Sequence, residues 1–338
     1  MPGRSNRYSL AAVDREPQYV DGFVRVPLES GRIVDLTPRE CWQLAETART
    51  YLFDNFSRFA DATVRAIRAN NRQLNVAIIR NDAFWQRVQN GTWEPNTLRI
   101  LDDFVSADRT FLDIGAWIGP TALYAAQLAK RTYAFEPDPV AYEELEVNAR
   151  ANADASWASR LTVYHKAVVP AGNKLRLGSR TSGGDSTSSV FFATGQSSWE
   201  VDATTLDAFV AAEQLHNEKL FIKIDIEGGE YELIPSLTTA FRKYDVVLFL
   251  SIHPWLSMSR LIQSGSRTAL GQLVRRFRFV RQHIQLVRAL PFRHLYHSNG
   301  QPFSLGVESL RALWYGTFAG EVLATNVEWS RSTPRSSA

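Results

Sequence analysis

The feature that most constrains the fold is an alternation, from residue 110 onward, of short apolar runs with longer amphipathic segments. Strands are predicted for five apolar runs, TFLDIG, RTYAFE, RLTVYHKAVV, KLFIKID and YDVVLFLSI. Helices are predicted for four segments, ALYAAQLAK, VAYEELEVNARAN, TTLDAFVAAEQL and EYELIPSLTTAFRKY. This order is typical of an α/β protein with a Rossmann-like, doubly wound and mostly parallel sheet. The carboxyl ends of its parallel strands share one edge, where such folds bind ligands.

The residues before position 110 do not show this alternation of short apolar runs and amphipathic segments. We therefore predict a mainly helical N-terminal accessory region, residues 1–100, and a ligand-binding domain, residues 101–338. In the accessory region a short hairpin is predicted where FVRVPLE and RIVDLT flank Ser30-Gly31. Thr37-Pro38-Arg39-Glu40 is a helix-start signal, and helical periodicity continues through roughly residue 70. A further helix, with a break near its middle, is predicted near residues 82–106.

The C-terminal part of the domain is predicted to complete the same sheet, with a helix, a turn at Ser298-Asn299-Gly300 and a strand at GEVLATNVEW. It contains a basic stretch, Arg275–Arg288, in which arginines interleave with apolar residues. An amphipathic element with a solvated basic face is the simpler interpretation, and recognition of an anionic glycan or lipid surface is the alternative. A mobile loop is expected at residues 180–190, RTSGGDSTSSV.

Composition excludes several classes of protein. The chain of 338 residues, 45% hydrophobic and 22% charged, is long enough for a full core and is not disordered in composition. Its net charge of +3 comes without a long basic run, so no nucleic-acid partner is expected. The single cysteine, Cys41, has no partner for an intramolecular disulfide. Since no apolar run approaches the roughly 18 residues of a membrane span, we expect a cytoplasmic protein without a transmembrane segment.

The corner after the first predicted strand, FLDIGAWIG, suits a cationic ligand better than a phosphate. A dinucleotide-binding corner has glycines spaced G-x-G-x-x-G and receives a pyrophosphate. Here Asp113 precedes Gly115, the next glycine is Gly119, and the middle glycine is missing. An acid at this point repels a pyrophosphate but suits the ammonium and sulfonium of S-adenosylmethionine, whose carboxylate can use free backbone N–H groups of the loop and of the following helix. We expect this corner, including Ala116 and Trp117, to hold that cofactor.

The second predicted strand supports the same cofactor. RTYAFEP ends in Glu136, 23 residues after Asp113. A carboxylate at this place can accept both ribose hydroxyls of an adenosine, a role that neutral side chains fill poorly. Either feature alone is more simply a tight turn, but the two occur in the correct order on consecutive predicted strands.

Several short motifs together resemble the FkbM-type methyltransferase family. They are Asp113-Ile114-Gly115-Ala116, Phe135-Glu136-Pro137, the pair Leu145 and Asn148, Thr205-Leu206-Asp207 and, most discriminating, Lys223-Ile224-Asp225-Ile226-Glu227-Gly228. The motifs run from about residue 110 to residue 256, close to half of the chain. The chain departs from the family pattern at Trp117, where an asparagine is usual.

This resemblance implies a class I methyltransferase fold and an O-methyltransferase that depends on S-adenosylmethionine. It also implies an acceptor hydroxyl on a sugar, a glycoconjugate or a polyketide-type natural product. The resemblance does not extend to the N-terminal hundred residues, so it does not identify the acceptor.

The fourth predicted strand ends in a run of charged residues. Two-residue alternation places Lys223, Asp225 and Glu227 on one face of the strand. Three charges on one face of a central strand are costly unless they are paired or used. A buried Lys–Asp pair followed by an acidic helix start is the structural interpretation. In the functional interpretation these three residues and His253, which follows the fifth strand and can take a proton near neutral pH, organise the acceptor hydroxyl. Asp225 is also expected to contact the cofactor.

Three alternatives stay open at this point. Asp225, Glu227 and His253 are also residue types that ligate Mg²⁺, although no metal is expected. An oxidoreductase that uses NAD shares the same kind of sheet. A non-catalytic binding protein retains the fold without methyl transfer.

Overall fold

The chain is described from a computed structural model, which covers residues 18–20, 23–27, 33–36, 62–178, 198–254, 268–315 and 320–329. It divides into two compact units, Met1–Thr63 and Val64–Ala338. The smaller unit contains a three-stranded antiparallel sheet of β1 (Gln18–Val20), β2 (Phe23–Pro27) and β3 (Ile33–Leu36), in that order.

The pairing of β2 with β3 is the hairpin that the sequence predicts around Ser30-Gly31. Three other sequence features lie outside the described residues: the helix-start signal at Thr37, the cysteine Cys41 and the loop at residues 180–190.

A second hairpin, β4 (Thr63–Ala69) and β5 (Arg72–Ile78), corrects one prediction. Helical periodicity was expected to continue to about residue 70, but residues 63–69 form a strand. The turn is Asn70-Asn71, and Asn70 has a φ of 48°, which asparagine tolerates better than most residues. A two-asparagine turn between segments that contain β-branched residues favours a hairpin over a helix. The following helices, α1 (Asp82–Gln89) and α2 (Pro95–Phe104), agree with the interrupted helix predicted near residues 82–106.

The main sheet has seven strands, and it confirms the predicted α/β class. Its strands are β6 (Arg109–Ile114), β7 (Arg131–Phe135), β8 (Leu161–Tyr164), β12 (Lys219–Ile224), β13 (Asp245–Ile252), β14 (His294–His297) and β15 (Gly320–Thr325). Their order is β14-β15-β13-β12-β6-β7-β8. Five neighbouring strands are parallel, and β15 runs antiparallel to both β13 and β14.

The helices follow the strands in the predicted order. They are α3 (Pro120–Ala125), α4 (Pro139–Arg150), α5 (Leu206–Ala212), α6 (Glu230–Lys243), α7 (Ala269–Arg288) and α8 (Val307–Tyr315). Among the described residues, no helix combines the length and the apolar character that crossing a membrane requires.

A small separate sheet was not predicted. It consists of β9 (Ala167–Val168), β10 (Lys174–Gly178) and β11 (Ser198–Thr204), with β11 in the middle. The strand β9 is only two residues long, and the run that contains it was interpreted as one strand with β8. A Gly-, Ser- and Thr-rich segment separates β10 from β11, so their pairing is not visible as a hairpin in the sequence.

The basic stretch Arg275–Arg288 is helical, as the C-terminal part of α7. Arg275 is buried, and Arg276 lies over the ring of Trp314 and donates to its carbonyl oxygen. Arg278 is exposed. The arginines therefore do not form one uniform solvated face.

Apolar side chains cover both faces of the main sheet. Phe111 of β6 and Phe221 of β12 belong to one core cluster, and their neighbours Leu112 and Ile222 belong to the other. This follows from the alternation of side chains along a strand. The first cluster also contains Trp85 of α1, so β4, β5, α1 and α2 cover one face of the sheet. The larger compact unit accordingly begins at Val64. The sequence places the boundary between the accessory region and the ligand-binding domain later, at residue 100.

Gly115 determines how closely the loops after β6 and β12 approach. It has a φ of 84°, and a Cβ atom added there would overlap the backbone carbonyl of Asp225. Asp225 in turn donates its backbone N–H to the carbonyl of Ile114 at 2.9 Å. A side chain at Gly115 would force the two strand ends apart.

Replacing Gly115 with Ala is expected to lower the free energy of unfolding by about 2–4 kcal/mol, because steric overlap adds to backbone strain. The matched control is Gly172→Ala, where φ is 90° but no atom lies within 4 Å of the added Cβ. That control should lose only about 1 kcal/mol. Urea unfolding followed by tryptophan fluorescence measures both. Equal losses in the two variants would contradict the close approach of the loops.

Candidate active site

A cavity of about 800 Å³ lies at the carboxyl ends of the central parallel strands. Each of four strands contributes a lining residue from just beyond its end: Gly115 after β6, Glu136 after β7, Asp225 after β12 and His253 after β13. Its volume falls in the usual range of about 300–1,000 Å³ for ligand pockets. The predicted position of the site, at one edge of the sheet, agrees with this cavity.

Glu136 lies at one end of this group and is almost fully buried. One carboxylate oxygen accepts the backbone N–H of Trp117, and the other accepts that of Asp138, both at 2.7 Å. Burial and the charge of Asp138 raise the pKa of Glu136 to about 8, although the two N–H donors oppose this shift. Each oxygen keeps a lone pair that can accept a ligand hydroxyl.

The corner FLDIGAWIG is held to strand β7 by its own backbone. The N–H groups of Gly115 and Ala116 both donate to the carbonyl oxygen of Phe135 at 3.0 Å. Three of the loop N–H groups, those of Gly115, Ala116 and Trp117, are therefore engaged within the protein and do not serve a ligand carboxylate.

Trp117 both lines the cavity and packs behind it. Its φ is 50°, an uncommon value for a residue with a large side chain. Its indole ring contacts Phe84 edge to face, with ring centroids 4.6 Å apart. Both rings line the cavity and form an apolar wall.

Asp113 and Gly119 lie behind the cavity and are not among its lining residues. Asp113 is fully buried, accepts the hydroxyl of Thr121 at 2.6 Å and lies 3.3 Å from the ammonium of Lys223. Gly119, with a φ of 95°, packs against Leu145 of α4 so closely that an added Cβ would overlap that side chain.

Lys223 is the central cation of the site. Its ammonium lies 3.3 Å from Asp113 and 3.4 Å from Asp225, and the side chain is 5% exposed. Burial lowers the pKa of Lys223, but the charges of Asp113 and Asp225 outweigh burial and raise it. Lys223 therefore keeps its charge and joins the ends of β6 and β12.

Glu227 lies in a turn and not on the strand face on which the sequence places it. The strand β12 ends at Ile224, so two-residue alternation does not extend to Glu227. Instead Glu227 has a φ of 50° in the turn before α6, and Gly228 has a φ of 95°. This turn brings the Glu227 carboxylate within 3.6 Å of His253 Nε2. Asp225, Glu227 and His253 therefore lie close together, and a turn rather than a strand face places Glu227 there.

His253 is held by Glu230, the first residue of α6. Glu230 is fully buried and accepts both the backbone N–H of His253 at 3.0 Å and its ring Nδ1–H at 2.5 Å. The opposite ring atom, Nε2, lies 3.5 Å from Asp225 and 3.6 Å from Glu227.

The surroundings of His253 favour its charged form. Burial lowers its pKa, but the hydrogen bond and charge of Glu230, followed by the charges of Asp225 and Glu227, raise it to about 9. An imidazole in this environment carries a second proton at neutral pH and donates on both sides. The sequence predicts that His253 takes a proton from the acceptor, whereas these neighbours favour the form of His253 that already carries that proton.

Glu94 is a cavity residue that the sequence analysis missed. It precedes Pro95 at the start of α2, with a φ of 37°, and accepts the hydroxyl of Thr97 at 2.9 Å. Burial raises its pKa, Lys223 opposes this shift, and Asp225 adds to it. The break before Pro95 was visible in the sequence, but the arrival of this carboxylate beside β12 depends on tertiary packing.

The remaining motif residues have structural contacts. Asn148 of α4 is fully buried, accepts the N–H of Ala77 and donates to the carbonyl of Ile118, both at 2.8 Å. Thr205 caps α5 by accepting the N–H of Ala208. Asp207 accepts the hydroxyl of Tyr244.

The fold and the cavity define a class of protein. A sheet in which the last strand is antiparallel and lies beside the fifth parallel strand, with a ligand cavity over the carboxyl ends, is a class I methyltransferase fold. The family profile of the methyltransferase FkbM domain matches residues 113–287, a little over half of the chain. The chain belongs to the FkbM methyltransferase family.

Solved structures with detectable similarity are distant. An FkbM methyltransferase from Methylobacillus flagellatus KT is 22% identical, covers 43% of this chain and has a TM-score of 0.31; the match spans 33% of that protein. A TehB-like SAM-dependent methyltransferase from Corynebacterium glutamicum is 11% identical over 72% of this chain and 95% of its own, with a TM-score of 0.34. A search of curated proteins gave no match.

Replacing Lys223 with Met is expected to cost about 3–5 kcal/mol in the free energy of unfolding, because it leaves buried carboxylates without their cation. Lys219→Met on the same strand is the matched control, since its ion pair with Asp108 is half-exposed. The control should lose less than about 1 kcal/mol. Guanidinium unfolding at constant ionic strength measures both. Similar losses at the two positions would mean that Lys223 does not hold a buried charge network.

Proposed function

We propose that the protein transfers a methyl group from S-adenosylmethionine to a hydroxyl oxygen of a sugar, a glycoconjugate or a natural product. The observation that carries the proposal is one cavity with two chemically distinct regions. One presents Glu136 and the Trp117 wall, and the other presents Asp225, Glu227 and His253. A donor and an acceptor can therefore be held side by side.

The donor region suits an adenosine. The carboxylate of Glu136 is oriented by two backbone N–H groups, so its remaining lone pairs are directed into the cavity for the ribose hydroxyls. Gly115, Ala116 and Trp117 supply the neighbouring wall. Asp113 acts on the donor indirectly, through Lys223 and Thr121, because it does not line the cavity.

S-adenosylmethionine, held by Glu136 and the wall formed by Gly115, Ala116 and Trp117, would supply a methyl group for the acceptor oxygen, with the electron pair of the broken bond left on sulfur and the hydroxyl proton released. The protein must align the acceptor and receive that proton. Alignment can supply roughly 7–11 kcal/mol, whereas a positioned base supplies about 10²- to 10⁴-fold. Alignment is therefore the larger contribution.

The acceptor region provides both functions. Asp225 and Glu227 are carboxylates at the cavity wall that can accept the hydroxyl proton, and His253 lies between them and fixes their separation. Lys223 holds Asp225 from the other side. Glu94 adds a third carboxylate to the same wall.

The substrate class rests on family membership together with this polar acceptor region. Carboxylates and an imidazole form hydrogen bonds with hydroxyl groups of the acceptor, as recognition of a sugar or a polyhydroxylated product requires. Incubation with tritiated donor and a panel of glycans and natural products identifies the acceptor by the label that it gains.

Replacing Glu136 with Gln is expected to weaken S-adenosylhomocysteine binding about 10- to 100-fold, because an amide NH₂ group takes the place of one of the two oxygens that accept hydrogen bonds. Isothermal calorimetry measures the affinity. The control variant is Glu200→Gln, an exposed carboxylate of β11, which should bind as the wild type does. NAD should give no heat with any of the three proteins. Binding of NAD in place of S-adenosylhomocysteine would overturn the proposed donor.

Replacing His253 with Ala is expected to lower turnover of the identified acceptor about 100-fold with donor affinity unchanged, because the two carboxylates lose the group between them. The matched control is His297→Ala, since His297 lines the same cavity without contacting this cluster. Turnover is measured with tritiated donor and donor affinity by calorimetry. Unchanged turnover in His253→Ala would assign proton handling to other residues.

A further inference from the structure

We infer that Asp225, Glu227 and His253 form a binding site for one hard divalent cation of the Mg²⁺ or Mn²⁺ type. Among the described residues this is the group whose ligand atoms could hold a metal ion, with one atom from each residue and all three within 4.8 Å of one another. The inference goes beyond the proposed methyl transfer, and it rests on that function only for the role given to the ion.

The distances suit a shared ion. His253 Nε2 lies 3.5 Å from one Asp225 oxygen and 3.6 Å from one Glu227 oxygen. Adjacent ligands of an octahedral ion with bonds of about 2.1 Å are roughly 3 Å apart. Small side-chain rotations are therefore sufficient to bring the three atoms into the first coordination shell.

The orientation of His253 is the second, independent observation. Metal-binding histidines almost always donate their other ring N–H to a carboxylate or a carbonyl, which fixes the tautomer and directs the lone pair at the ion. Glu230 provides this contact: its buried carboxylate accepts from His253 Nδ1 and also from the backbone N–H of the same residue. Nε2 is thereby directed at the two carboxylates, and a bound ion would take the place of the Nε2 proton that the charged imidazole carries.

The balance of charge favours a cation at the same place. Four carboxylates, those of Asp113, Asp225, Glu227 and Glu230, lie in one connected cluster whose most exposed side chain is 27% exposed. The cationic groups of this cluster are Lys223, which pairs with Asp113 and Asp225, and the imidazole of His253, so four carboxylates face two cationic groups. Excess negative charge in a mostly buried cluster is costly unless a cation compensates it.

The ligand set indicates which cation. Two carboxylate oxygens and one imidazole nitrogen, without a thiolate, suit hard ions such as Mg²⁺ and Mn²⁺ better than soft ones. Three protein ligands leave coordination positions that face the cavity. An acceptor hydroxyl oxygen can occupy one of them, where the ion would hold it in place and make it more acidic.

Binding of Mn²⁺ tests the site directly and does not depend on activity. The full chain is treated with EDTA, desalted and titrated with MnCl₂, and the electron paramagnetic resonance signal of free Mn²⁺ gives the affinity and stoichiometry. One saturable site per chain is expected. Electron spin echo measurements should show coupling to a nitrogen nucleus, and this coupling should disappear in His253→Asn.

Three variants and one control locate the ion. Glu227→Gln and His253→Asn are expected to weaken Mn²⁺ affinity at least about 10-fold, and Glu230→Gln about 10- to 100-fold, because each removes a ligand or its orienting partner. Glu321→Gln, a carboxylate on the same cavity wall outside the cluster, should bind Mn²⁺ as the wild type does. Circular dichroism and thermal unfolding establish that each variant is folded.

Several outcomes would overturn the site: no saturable Mn²⁺ binding by the wild type, unchanged affinity in the folded ligand variants, or an equal loss in Glu321→Gln. Calorimetry with S-adenosylhomocysteine separates this result from the proposed function. Mn²⁺ binding without any binding of S-adenosylhomocysteine would remove the proposed function and leave the metal site. The reverse result would leave methyl transfer and remove the metal site.

Discussion

The buried ion pair between Lys223 and Asp113 is the interaction on which the rest of the site depends. The two residues lie directly opposite each other on the neighbouring parallel strands β12 and β6. A shift of β12 by one residue would move Lys223 to the other face of the sheet and leave Asp113 without its cation, and so the pair strongly favours one register. The pair also costs free energy through desolvation, so its value lies in specifying an arrangement rather than in adding stability. In this register the loops after β6 and β12 begin side by side at one edge of the sheet, where both line the cavity.

The loops after β6 and β12 present different chemical groups to the cavity. After β6 the chain turns through Gly115, whose missing side chain lets the Asp225 carbonyl approach, and its backbone N–H groups are used by Phe135 and Glu136. After β12 the chain turns through Glu227 and Gly228 and directs carboxylates into the cavity. A neutral wall and an acidic cluster therefore lie on adjacent strands. This separation within one cavity is the physical basis for the donor and acceptor regions that we propose.

The five parallel strands and their helices were predicted because they depend on the local periodicity of apolar residues. The residues that meet at the carboxyl edge were predicted because parallel strands end at the same edge of a sheet. The sequence did not predict the hairpin of β4 and β5 or the sheet of β9, β10 and β11, whose signals are two asparagines and short, separated strands. It also missed Glu94, since no local pattern reveals that the start of α2 lies beside β12. The charge state of His253 is a further case: a histidine after a strand suggests a base, and the buried Glu230 that changes this is 23 residues away.

The backbone conformation of the loops is a further reason to place a binding site at this cavity. Five non-glycine residues in the described part of the chain have a positive φ: Asn70, Glu94, Trp117, Gln214 and Glu227. Three of them, Glu94, Trp117 and Glu227, line the one cavity. Such conformations cost about 1–3 kcal/mol each and persist where the surrounding structure holds them, which is most often at functional sites. Each of the three comes from a different loop, so one local turn motif does not explain them. The chain carries unfavourable backbone geometry and unfavourable buried charge at the same place, and a binding site in which both are used accounts for their coincidence.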